Sequence, residues 1–433
     1  MAKFKLPNAR YRIYSSVRTY LMMLRELLFS GSDGQPGVTE LESELCRRLG
    51  VRAAVCVPQN RLGVYLTLRH TIRSGQGVIM SPYTIADIIN MVICAGGRPI
   101  FADVERSTCN ISAKEVEFLL RTSSNVGAVL VTDLHGLVSP CEEISKLCES
   151  FGVPLIEDSA QAFGSKLEGR LAGTFGRAGV FSFGMYKNVN SFYGGAVVSN
   201  DEELISLIRD DLQTYPYQSV GLLLARLRQG LLTDTLTSPI VFKLLTFWIF
   251  RFGFLNDIEF INKRVRIELD VSPKSVLPDT YFRRMRPCQA RVVLSQLKDV
   301  DARSKVRIGY SEIYFAGLPK FPGLILPPQR GDFSHIYTYF PIQYSDRQAL
   351  LKFMMLHGRD AAAQHYKNCA DLPGYSEFYR DCPNARAVSE SLIFLPTYPR
   401  YGREQVEKNV EVLQAFFRQA GGRVDNEIVK VAA

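Results

Sequence analysis

The first two hundred residues predict an α/β protein built on a mostly parallel sheet with helices on both faces. Three observations carry this. Short apolar runs at 53–57, 77–81, 98–103, 126–132, 153–156 and 178–183 have the length of buried strands. Stretches with helical spacing, such as 85–95 and 113–122, lie between them, and strands alternating with helices indicate parallel pairing through crossovers. The run 153–156 closes on Glu157 and Asp158, and the run 178–183 stops just before Lys187, so polar groups stand where parallel strands deliver their C-terminal ends and bind ligands.

The elements follow in order. Residues 16–29 place Val17, Tyr20, Leu21, Leu24, Leu27 and Leu28 at helical spacing, and Gly31-Ser32-Asp33-Gly34 breaks that helix. Residues 38–49 form a second amphipathic helix, with Leu41, Leu45 and Leu49 on its dry face and Glu40, Glu44, Arg47 and Arg48 towards water. Strand 53–57 runs into PQNRLGVYLTLRHTI, a turn and then a helix whose first N–H groups form a natural phosphate cradle. Asn60 and Arg61 stand there; Arg61 is either a charge-assisted phosphate ligand or a surface arginine. After strand 77–81, Pro82-Tyr83-Thr84 precedes helix 85–95. Strand 126–132 ends at Asp133-Leu134-His135-Gly136, where His135 reads as a structural polar residue rather than a site residue.

A carboxylate and a lysine at the ends of two strands suit pyridoxal phosphate chemistry. A lysine holds the aldehyde as a Schiff base, and an aspartate keeps the pyridine nitrogen protonated so that the ring accepts electrons. Lys187 and Asp158 fill these roles, with Gln161 placed for the ring oxygen and Ser182 for the phosphate. Taken alone, a lysine after a strand is more often solvated.

The whole string EDSAQAFGSKLEGRLAGTFGRAGVFSFGMYKN, followed by GGAVVSND, closely resembles the active-site block of the DegT-type family of pyridoxal phosphate-dependent nucleotide-sugar aminotransferases. The resemblance implies a fold type I architecture, with a large doubly wound domain and a smaller α+β C-terminal domain. It implies Lys187 as the cofactor lysine and proton shuttle, Asp158 at the pyridinium, Gln161 at the ring and Ser182 at the phosphate. It further implies a homodimer that moves an amino group, usually from glutamate, to a keto sugar of a nucleotide diphosphate, as in surface polysaccharide synthesis. Relatives that lost the lysine are dehydratases, and Lys187 is retained.

The chain departs from the family pattern at identifiable places. Gln59, Asn60, Arg61 and Leu62 replace a small-residue Gly-Thr or Ala-Thr phosphate loop, and Ile85 stands where an aromatic residue stacks on the ring, so that either Ile85 or Tyr83 covers it. Phe282 replaces the asparagine that reaches the neighbouring subunit's phosphate, which puts that contact in doubt. Arg284, Met285, Gln289, Ala290, Gln296 and Leu297 match the helix that begins the small domain. His365-Tyr366 falls where relatives place a His-Tyr pair near the substrate.

Between these blocks lies an insertion longer than the family carries. Its segment 239–255, PIVFKLLTFWIFRFGFL, holds the only tryptophan and, as a helix of roughly 25 Å, falls short of a ~30 Å hydrocarbon core. It is open to three readings: a helix in a membrane interface, an oligomer contact, or a cover over the cleft. The predicted organisation is a cofactor domain over 10–210, the insertion over 211–278, a small domain over 279–420 with a strand at 336–344 and a last helix at 405–418, and a tail over 421–433.

Composition narrows the alternatives. With 46% hydrophobic and 22% charged residues the chain is globular, and 52 Lys+Arg against 43 Asp+Glu give +9, a charge suited to anionic partners. No nucleic-acid motif or basic-aromatic stretch accompanies it. Five scattered histidines without H-E-x-x-H predict no metal site, and nine cysteines without C-x-x-C spacing and no secretory segment predict a reducing, cytoplasmic setting, with membrane association through 239–255 left open. The second functional reading is a catalytically altered, membrane-associated scaffold or regulatory partner in polysaccharide assembly, suggested by the departures at Arg61 and Ile85.

Overall fold

The structure is a computed structural model. It describes residues 6–13, 15–29, 36–260, 272–318, 321–363 and 366–431, of which 29, 36 and 420–431 are described by backbone only. His365, of the expected His-Tyr pair, lies outside the described residues.

Seven strands form the central sheet, β1 (Ala53–Val57), β2 (Gly77–Met80), β4 (Arg98–Phe101), β5 (Val126–Thr132), β6 (Leu155–Asp158), β9 (Ala178–Ser182) and β10 (Gly195–Ser199), in the order β1-β10-β9-β6-β5-β2-β4, while the short strands β3 (Tyr83–Thr84) and β13 (Lys367–Asn368) pair with each other, as do β7 (Lys166–Leu167) and β8 (Arg170–Leu171). β4, β2, β5, β6 and β9 run parallel, and β10 is inserted antiparallel between β1 and β9. The apolar runs that predict these strands are buried on both faces, as a parallel sheet covered by helices requires. The helices are α1 (Val17–Phe29), α2 (Pro36–Leu49), α3 (Asn60–Arg69), α4 (Ala86–Cys94), α5 (Ala113–Thr122), α6 (Cys141–Phe151) and α7 (Glu202–Thr214). One face packs through Leu62, Leu66, Ile89 and Val197, the other through Val116, Val129, Ile144 and Leu155.

Parallel pairing fixes what reaches the upper edge. Thr132 is opposite Asp158, and Asp158 opposite Val180, so the ends of β5, β6 and β9 open side by side. The period of two then separates the acidic pair: Asp158 turns to the edge, whereas Glu157 turns into the opposite layer and accepts from the N–H groups of Gly173 (2.8 Å) and Gly176 (2.7 Å).

The C-terminal part carries a three-stranded sheet, β11 (Phe340–Gln343), β14 (Leu392–Leu395) and β12 (Ala362–Ala363), backed by helices Arg347–Leu356 and Arg403–Val431. The strand expected over 336–344 is confined to β11. Tyr337 has a positive φ of 46°, and the segment around it pairs instead with the 135–138 loop, where Ile336 N donates to Gly136 O (2.9 Å) and Thr338 N to His135 O (2.8 Å). The last helix runs on to Val431 through the stretch expected as a tail: the glycine pair 421–422 weakens a helix, but no proline stops it.

The insertion is helical. α8 (Val220–Leu236) starts on the Ser219 cap, whose Oγ accepts from Leu222 N (3.1 Å), and buries Leu223 and Leu227 against Ile13, Met23 and Phe192. α9 (Pro239–Leu255) follows after a 56° bend and contains a π turn at Phe242–Thr246. It seats Phe242 and Phe247 against Ala9 and Met355.

Candidate active site

The expected site residues Lys187, Asp158, Gln161, Ser182, Asn60, Arg61 and Ile85 all line one cleft of about 270 Å³ at the C-terminal edge of the sheet. Each arrives on a different element. Asp158 ends β6 and Ser182 ends β9; Lys187 follows in the turn in which its N–H donates to Gly184 O (3.0 Å). Asn60 and Arg61 open α3, and Ile85 caps α4.

Asp158 is buried, and its Oδ1 accepts from Asn60 Nδ2 (3.0 Å) and Ala160 N (3.3 Å). Burial pushes its carboxyl up to about 6, against the pull of the Asn60 amide and the Lys187 charge. The Lys187 amine is lowered from its usual value, chiefly by desolvation, with Asp158 opposing and Arg61 assisting. A carboxylate that favours a cationic neighbour thus faces an amine that gives up its proton more readily than a solvated lysine.

The start of α3 is extended at Gln59 (φ −162°), and no side chain caps it; Gln59 Oε1 instead accepts from Tyr193 OH (2.7 Å). The first-turn N–H groups therefore face the cleft as an anion cradle beside the Ser182 hydroxyl. Gly195 keeps this cradle close to the sheet, since a Cβ there would stand 2.6 Å from Phe181 O and 2.9 Å from Asn60 N. Arg61 is in the cleft with its charge engaged: its guanidinium pairs with Asp87 (3.1 Å) and reaches Tyr281 OH (3.4 Å).

Of the two residues that were open as ring cover, Ile85 lines the cleft, whereas Tyr83 is fully buried in β3 (Tyr83–Thr84) with its ring edge-on to Tyr366. Gln161 is fixed at both ends, donating from Nε2 to Tyr366 OH (2.7 Å) and accepting at Oε1 from His135 N (3.1 Å). His135 itself is buried against Phe394, its ring held neutral by burial, which drops its pKa to about 3. It does not line the cleft. Asp133, Cys141 and Glu157 bring ligand atoms within 4.8 Å of one another. Their carboxylates are taken by Ser139 N, the Ser159 hydroxyl and the two glycine N–H groups, which makes the group a hydrogen-bonded core cluster.

Sequence reasoning missed Arg226 and Gln229, which reach the cleft from α8. The Arg226 guanidinium lies 5.4 Å from the Tyr193 ring centroid, its Nη1 donates to Gln229 Oε1 (2.8 Å), and its Nε is buried without a hydrogen-bond partner among the described residues. The available signal was the pair Arg226 and Arg228 in an otherwise apolar helix; which one turns inward depends on how α8 packs.

Residues 21–221 and 276–414 match the model of the DegT/DnrJ/EryC1/StrS aminotransferase family, leaving 222–275 outside the match. A UDP-4-amino-4,6-dideoxy-N-acetyl-beta-L-altrosamine transaminase of Campylobacter jejuni is 34% identical over 177 residues, 41% of this chain and 47% of that protein. GDP-perosamine synthase of Vibrio cholerae is 30% identical over 169 residues, 39% and 46% of the two chains. The chain thus spans about half the length of these curated relatives. Among solved structures, Helicobacter pylori PseC, an aminotransferase involved in the biosynthesis of pseudoaminic acid, is similar over 95% of this chain and 100% of its own, with a TM-score of 0.73 at 20% identity, a likeness of fold. The family match runs through β1 to β10 and resumes in the C-terminal part, and every cofactor-site residue predicted from the active-site block falls inside it: this chain belongs to the DegT/DnrJ/EryC1/StrS aminotransferase family.

Proposed function

We propose that the protein transfers an amino group from an amino acid, glutamate first among candidates, to the keto sugar of a nucleotide-diphosphate sugar, in surface polysaccharide or related sugar synthesis. The observation that carries this is the convergence of Lys187, Asp158, Ser182 and the uncapped start of α3 on one cleft. These groups fit pyridoxal phosphate: N–H donors and a hydroxyl for its phosphate, a carboxylate for its ring nitrogen, an amine for its aldehyde. Bound there, the cofactor supplies an electron sink for the carbon that loses or gains the amino group.

The chain's own residues do the rest. The Asp158 carboxylate, positioned by Asn60, holds a proton at the ring nitrogen. Lys187 Nζ, its proton loosened by burial, takes a proton from one carbon and returns it to the next as general base and then acid. Ile85 would cover the ring as an aliphatic wall, and Gln161 is locked by Tyr366 and His135 for a single orientation. Arg226, whose Nε has no partner among the described residues, is a ligand for the diphosphate of the sugar nucleotide.

Two further points belong to the same proposal. α1 exposes Val17, Leu21, Leu24 and Leu28, which supports assembly as a homodimer through that face. All nine cysteines are free thiols, which fits a reducing, cytoplasmic setting. A catalytically altered scaffold is not favoured, because the departures at Arg61 and Ile85 leave the lysine, the aspartate and the anion cradle in place.

The test is a screen. Enzyme converted to its aminated cofactor form is mixed with individual 4-keto and 3-keto sugar nucleotides, and return of the aldehyde form is followed by absorbance. One or a few sugars restoring it supports the reading; none doing so, while glutamate still aminates the cofactor, removes the nucleotide sugar from it.

A further inference from the structure

We propose that α8 and α9 form a docking surface for an anionic phospholipid membrane, on which the protein lies without crossing it. All but the first two residues of this pair lie within 222–275, outside the family match, so the family fold does not account for its composition. Its inward side chains already serve the fold: Leu223, Leu227, Phe242 and Phe247 are buried. What remains outward are Leu231 and Leu232 of α8 and Ile240, Leu244, Leu245, Trp248, Ile249 and Phe252 of α9, each more than 40% exposed. Ile240, Leu244, Trp248 and Phe252 recur every four residues and make one stripe along α9.

The charges decide the occupant. Residues 220–255 contain one acid, Asp234, and it is turned inward to accept from Tyr20 OH (2.8 Å) and to face Arg12 (3.9 Å). Arg228, Lys243 and Arg251 remain beside the apolar face, with Arg251 5.4 Å from the Trp248 ring centroid. An apolar stripe flanked by Arg228, Lys243 and Arg251, with Asp257 and Glu259 only past its C-terminal end and a tryptophan whose Nε1 is satisfied by Lys243 O (3.1 Å), matches a surface of acyl chains beneath anionic headgroups. A second copy docked isologously would set that cationic border against itself. No single described helix is long and apolar enough to cross a membrane, and the 56° bend breaks the pair, so in-plane seating is the geometry left to it. α8 also carries Arg226 into the cleft, so the same helix joins the membrane face to the site.

The single tryptophan makes the test direct. Full-length holoenzyme is mixed with vesicles of phosphatidylcholine, alone or with phosphatidylglycerol, and followed by flotation and Trp248 emission. The expected result is a blue shift and roughly tenfold or more protein floated with the anionic vesicles, reduced by salt. Leu244→Asp with Phe252→Asp should abolish flotation, and Lys243→Glu with Arg251→Glu should abolish the preference for phosphatidylglycerol, all four substitutions leaving turnover of soluble substrate unchanged. Unshifted emission and no flotation overturn the proposal. So does a lipid-independent oligomer that shields Trp248 and that Leu244→Asp dissociates, which would assign the face to a second copy. Neither outcome depends on which sugar is aminated.

Discussion

Asp158 carries a cost that the proposed contact with the cofactor ring nitrogen explains. Its folded-state pKa of about 6 lies above the ordinary 3.8, so the folded state binds the proton more tightly than the unfolded chain. The stability this contributes is present in full below about pH 4 and is lost as pH rises towards 6. In the cofactor-free protein Asp158→Asn should therefore raise stability at pH 7, by at most about 3 kcal/mol, with the gain vanishing near pH 4 in denaturant titrations, while transamination is lost. Asn60→Ala removes the hydrogen bond that favours the carboxylate, so the acid limb of the pH–rate profile should move towards neutral pH, by up to about one unit. The active-site block offered Lys187 and Asp158 as candidates, and the fold brings both to one cleft. The block could not say that Arg61 would be paired to Asp87, or that Tyr83 would be buried against Tyr366, since both depend on contacts between distant segments.

Gly179 of the active-site block serves the sheet rather than the cleft. A Cβ at Gly179 in β9 would collide with the Gly173 carbonyl, and backbone there cannot give way, because Gly173 N and Gly176 N are bound to Glu157. Gly179→Ala should cost about 3 kcal/mol or more, read as a lowered denaturant midpoint with an unchanged slope. α8 adds what the family pattern lacks. Arg226→Ala should raise the KM for the sugar nucleotide roughly tenfold or more while leaving the glutamate half-reaction close to wild type. Strand positions of the central sheet through β9 and the helices α1 to α5 were legible because apolar runs and helical spacing reflect which faces are buried, whereas α6 and the antiparallel β10 went unread. The 336–344 strand was over-read because the run looks alternating, while Tyr337 takes a left-handed backbone to meet the 135–138 loop.

At the scale of the molecule, the parallel sheet gathers the ends of β5, β6 and β9, and α3, α4 and the Lys187 turn close over them, so chemistry groups from residue 60 to residue 187 share one cleft. The insertion could be recognised from sequence as apolar and too short to span a bilayer. Its two faces could not be separated without the fold that buries Phe242 and Phe247 and exposes Trp248. The central claim is that Lys187 is the residue bonded to the cofactor aldehyde. Borohydride reduction of the holoenzyme, followed by peptide mass analysis, tests it most directly: the pyridoxyl group should be found on the peptide containing Lys187 and be missing from Lys187→Ala. A pyridoxyl group on another lysine, or full turnover by Lys187→Ala, would contradict the account.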